Sequence, residues 1–159
     1  MIGRLVLMYL GDQVAGVKAF RSYLKSGGLL YFQEFCPPGV GSEPPIPSFQ
    51  KTRHYIEETF ARARILVHSG MHLARIYREA GLPSPSMLGM SRVESGPDSP
   101  GYEYLAPTVR SLLPLIENMG VATAAEVSIG TLASRMREEA LTANATIHLP
   151  ELIAGWVRV

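Results

Sequence analysis

The chain has 159 residues, 47% hydrophobic and 18% charged, with fifteen basic against fourteen acidic side chains for a net charge of +1. That size and composition suit one globular domain with its own core and exclude a disordered chain. The near-zero charge gives no reason to expect a nucleic-acid or anionic-membrane partner. The lone Cys36 allows no intrachain disulfide and points to a reducing, cytoplasmic setting.

Met1 leads into a strand-like run with no basic flank or cleavage site, so no secretory leader is expected. The longest apolar run, Leu5 to Leu10, is too short to cross a bilayer. Met1 to Leu10, Asp12 to Gly28 and Leu29 to Phe35 form a strand, helix and strand pattern, one βαβ unit. Leu5 to Leu10 is continuously apolar, as a parallel strand covered on both faces would be. Asp12 is a good N-cap, and Val14, Val17, Phe20 and Leu24 fall on one helical stripe that Gly27-Gly28 ends. Open sheets of this kind hold ligands at the carboxyl ends of their strands. Gln33 and Glu34 close the second strand there.

Residues 36–47 (CPPGVGSEPPIP) form a loop that excludes helix and central strand. A helix is expected over Ser48 to Leu66, burying Phe49, Ile56, Phe60, Ala63 and Val67. Another follows over Met71 to Ala80, with Leu73, Ile76, Tyr77 and Ala80 inward. Met87 to Val93 reads as a third strand. Tyr102 to Met119 should be helical, carrying Leu105, Val109, Leu112, Leu113 and Ile116, with a kink at Pro114. Thr123 and Glu126 match a capping box. Ile129, Leu132, Met136 and Ala140 mark the last helix, and Leu152 to Val159, with the single tryptophan Trp156, the last strand.

With those elements in order, three stretches carry a resemblance to a known family. They are Gly3-Arg4-Leu5-Val6-Leu7-Met8-Tyr9-Leu10-Gly11-Asp12, Leu24-Lys25-Ser26-Gly27-Gly28-Leu29-Leu30, and Leu73 to Leu82. They resemble, respectively, the fourth strand, the entry to the fifth strand, and the helix before the sixth strand of class I S-adenosylmethionine-dependent methyltransferases. Ser26 stands where that family usually has proline. The resemblance covers the carboxyl-terminal half of the fold only: the glycine-rich loop after its first strand, and the acidic residue that binds the cofactor ribose, have no counterpart here. The ligand-binding first half is therefore expected to be missing.

The resemblance implies an α/β fold with a partial Rossmann-like methyltransferase sheet. That sheet would be mostly parallel, its last strand antiparallel and inserted between the second and third strands. Residues 1–159 would form a single domain, with 102–143 a helical insertion or lid over the site. The function implied is methyl transfer from S-adenosylmethionine to a small apolar acceptor. Arg4, Leu5 and Met8 would line the cofactor side, although core packing explains Leu5 and Met8 as well. Glu34 would act as a substrate-side acid or general base, with a structural ion pair to Arg4 as the bland alternative. Tyr102, Leu112 and Leu113 would line an apolar acceptor pocket. A different class competes: a non-catalytic, dimeric remnant that binds a small molecule or protein. A homodimer is expected because the strand Leu5 to Leu10 would have lost its outer neighbour. No metal is expected, since His68 and His72 have the spacing of a ligand pair but lack an intervening glutamate and span Gly70.

Overall fold

The structure, a computed structural model, describes residues 1–37 and 39–159. In chain order the elements are β1 (Ile2–Arg4), α1 (Gln13–Ser22), β2 (Leu29–Cys36), β3 (Gly41–Glu43), α2 (Pro47–Arg62), α3 (Ser69–Glu79), β4 (Ser86–Met90), β5 (Val93–Glu94), α4 (Gly101–Asn118), α5 (Ala124–Val127), α6 (Leu132–Thr142), β6 (Thr146–His148) and β7 (Glu151–Arg158). Short 3-10 turns cover Leu7–Tyr9 and Ile129–Thr131.

The chain divides into two compact units. The first comprises Met1–Pro38, Ile65–Ser91 and Pro150–Val159, and the second Gly39–Arg64 and Arg92–Leu149. Each has its own sheet and its own buried apolar cluster, which is the physical reason for the division.

The first unit is mixed α/β. Its sheet runs β1-β2-β7-β4, with β1 and β2 parallel and β7 antiparallel to both β2 and β4. The last strand thus lies between the second and third, as expected. Counted by hydrogen-bonded neighbours, however, the sheet has one parallel pair and two antiparallel ones, so "mostly parallel" describes only strand direction. Alternation along β2 sends Leu30, Phe32, Glu34 and Cys36 to one face, where they are buried. Phe32 packs on Phe20 of α1 and Tyr77 of α3, at ring separations of 5.6 and 6.4 Å. Leu7, Val17, Leu73, Ile76 and Val157 complete that core. The Tyr77 hydroxyl donates to the Gly155 carbonyl at 2.8 Å, which satisfies a polar group inside it.

The first strand is much shorter than the expected Met1 to Leu10. It stops at Arg4 because Leu5 takes a left-handed backbone (φ 53°) and the chain turns into the 3-10 segment. The expected strand Met87 to Val93 is likewise divided: Ser86–Met90 belongs to the first unit's sheet, whereas Val93–Glu94 pairs β6.

The second unit packs α2, α4 and α6 with a small antiparallel sheet ordered β3-β6-β5. Phe49, Tyr55, Leu105, Val109, Ile116, Leu132, Met136 and Ile147 are buried in its core. The expected helical insertion 102–143 supplies α4 to α6, but the unit also takes in 39–64 and three strands. Helix α4 continues through both Pro107 and Pro114. The capping box at Thr123 and Glu126 is formed in full.

Candidate functional site

The feature that organises the first unit's ligand-type end, where β1 and β2 finish, is the Glu34 carboxylate. Its Oε1 accepts the backbone N–H groups of Val6 and Leu7, both at 2.9 Å, and its Oε2 accepts that of Met8 at 3.3 Å. The local geometry explains why these three amides are free. Leu5 still donates to the Gln33 carbonyl at 2.8 Å, but its left-handed turn takes the following residues out of the ladder. Their N–H groups then need acceptors, and a buried orphan donor costs about 1–3 kcal/mol. Glu34 supplies all three.

A second layer holds the same loop. The Gln13 side-chain amide, in the first turn of α1, donates to the Leu7 carbonyl at 3.0 Å and to the Ser69 hydroxyl at 2.5 Å. Ser69 donates in turn to the Leu66 carbonyl, and the Leu66 N–H returns to the Met8 carbonyl at 2.9 Å. Gly70, next along, lets the start of α3 approach β2 directly: a Cβ there would lie 2.7 Å from the Phe35 carbonyl oxygen and 2.9 Å from that of Glu34. The loop Leu5–Tyr9, the entries to α1 and α3, and the end of β2 are therefore locked into one polar-centred joint.

The sequence candidates fall into this geometry unevenly. Glu34 is expected to face an open cleft or to pair with Arg4, and it does neither. It is 0% exposed, and Arg4, in register with Gln33, projects from the other face of the sheet. Burial pushes the Glu34 carboxyl above the ordinary carboxylate range, with the three amides opposing. Both its oxygens are engaged, so its chemical effect is to position the loop. Met8 is buried and Leu5 half-buried, both on the loop Glu34 holds, while Arg4 is exposed beside it. Tyr9 next to them is exposed.

Tyr102, Leu112 and Leu113 are not brought together. Tyr102 lines an open depression of about 520 Å³ in the second unit, with Pro97, Asp98, Glu103, Ser134 and Arg137, and donates to the Gly96 carbonyl at 3.1 Å. Leu112 and Leu113 pack against that unit's core and do not line the depression. Cys36 is buried beside its cross-strand neighbour Glu151, and burial and that carboxylate push its thiol up, away from nucleophilic use. His68 and His72 are exposed at the start of α3, and no group of three or more ligating side chains gathers among the described residues.

Sequence reasoning did not single out Gln13 or Ser69, and read Gly70 only as an argument against a metal pair at His68 and His72. Gln13 just inside a helix start is ordinary, and nothing local ties it to a serine 56 positions away. No protein-family model and no curated protein matches the chain.

Proposed function

We propose that the first unit is the carboxyl-terminal half-sheet of a class I methyltransferase fold, and that its chemistry is methyl transfer from S-adenosylmethionine to a small apolar acceptor. The observation that carries this reading is the strand order β1-β2-β7-β4 with β7 antiparallel between β2 and β4. It is the arrangement the sequence resemblance implies for the fourth to seventh strands. The joint at the end of β1 supports it too. On this reading Leu5 and Met8 form a rigid wall for the methionine part of the cofactor, with Arg4 at its rim. A preorganised wall suits a reaction that needs alignment of a sulfonium methyl with a nucleophile more than strong acid or base catalysis. Glu34 is then a positioning residue.

A second reading, a non-catalytic relative that binds a small molecule, is favoured by one observation: the Glu34 carboxylate has no free oxygen for an acceptor. Amide NMR spectra recorded during titration with S-adenosylmethionine test the cofactor site. Saturable shifts centred on Leu5 to Tyr9 are expected, and weak ones, since this sequence holds no counterpart of that family's glycine-rich loop or ribose-binding acid. Shifts absent from those amides, or confined to other parts of the chain, would sink both the cofactor assignment and the methyl-transfer reading. Binding there without turnover over a panel of apolar phenols and amines would favour the second reading.

A further inference from the structure

The two edges of the four-stranded sheet are unlike. Strand β1 offers three residues, ends on the exposed cation Arg4 and bends away at Leu5. Short, charged and bent edges resist pairing. The homodimer contact expected there, along Leu5 to Leu10, has no strand to make it. Strand β4 is the opposite case. It hydrogen-bonds β7 along one flank, and among the described residues no strand pairs its other flank. All five of its residues are exposed, Leu88 at 55% and Met90 at 62%. Its sequence, Ser-Met-Leu-Gly-Met, holds no charge and no proline. A neutral, apolar strand with a free row of amides and carbonyls is a template for another strand.

We propose that β4 is the contact through which two copies of this chain associate, pairing antiparallel about a two-fold axis at Leu88. Identical antiparallel strands are self-complementary: each presents the donors and acceptors that the other lacks. Full overlap of the five residues sets Leu88 opposite its own copy, Met87 opposite Gly89 and Ser86 opposite Met90. No like charges meet, because the strand has none. The sheet register puts Leu88 beside Ala154 and Met90 beside Leu152, on the face that also carries Trp156. Joining two sheets therefore continues across the axis the stripe of Leu88, Met90, Leu152 and Ala154. Five residues a side fall well short of the roughly 20–30 that a stable interface uses. The dimer is accordingly weak, and its population rises with concentration.

This inference does not depend on the methyl-transfer reading. Sedimentation velocity of the full chain from low to high micromolar concentration should show a monomer passing into a dimer. Leu88→Lys should abolish that change and leave the melting temperature unaltered. Leu88→Cys should form a disulfide-linked dimer on air oxidation, whereas Ile2→Cys on the opposite edge should not; the buried Cys36 does not compete. A monomer at every concentration, a dimer that survives Leu88→Lys, or cross-linking through Ile2→Cys and not Leu88→Cys would overturn the proposal.

Discussion

Glu34 serves three backbone donors from a fully buried position, so its substitution acts on the fold before it acts on any ligand. In Glu34→Gln the amide NH₂ replaces an acceptor and faces a donor. A cost of about 2–3 kcal/mol is expected, read by urea unfolding. The pH dependence has a definite sign. Because burial raises the folded-state carboxyl above its ordinary value of 4.5, the folded chain binds that proton more tightly than the unfolded one. The stability Glu34 contributes is fully present below the ordinary range and is lost as pH rises through the raised value. The gap between the parent and Glu34→Gln should therefore narrow as pH rises from the ordinary carboxylate range through the raised value. A gap that widens instead would mean that the three amides outweigh burial. Gly70→Ala drives a methyl into two carbonyl oxygens of β2, both backbone, and should cost about 1–3 kcal/mol in the same measurement.

At the scale of elements, the helix ends show which local signals survive in the fold. Asp12 caps α1 by accepting the Ala15 N–H at 2.8 Å, so Asp12→Ala should lose about 1 kcal/mol of stability. Just beyond α2, exposed Arg64 takes a left-handed backbone (φ 57°) that costs a side-chain-bearing residue about 1 kcal/mol. Arg64→Gly should raise the melting temperature; a lowered one would assign Arg64 a contact that outweighs its backbone. Caps and apolar stripes were legible because they depend on neighbours three or four positions away. The stripes of Leu73, Ile76, Tyr77 and Ala80 in α3, and of Leu132, Met136 and Ala140 in α6, are buried as their spacing implied. The end of β1 was not legible: Leu5 to Leu10 is as apolar as any strand. The amides freed by the break find their acceptors on Glu34, 26 to 28 positions away.

Across the whole molecule there are two buried apolar cores, one in each unit. Each should supply its own set of slowly exchanging amides, one around Leu30 and Phe32 of β2 and one around Val109 and Ile116 of α4. Hydrogen exchange followed by NMR checks this, and protection concentrated in one set alone would contradict it. Short-range periodicity and a recognisable succession of segments were enough for the order of most elements, the buried stripe of α3, the capping residues and the place of the last strand. In α2 the buried face carries Thr52, Tyr55 and Thr59 where Ile56, Ala63 and Val67 were expected, and those three are half-buried. Long-range pairing alone sent Val93–Glu94 from the first sheet to the second, turned Glu34 inward to serve backbone amides, and made β4, not Leu5 to Leu10, the long apolar edge of the first sheet. Those outcomes depend on which polar groups and strand flanks find partners far along the chain. Local pattern carries no record of such pairings.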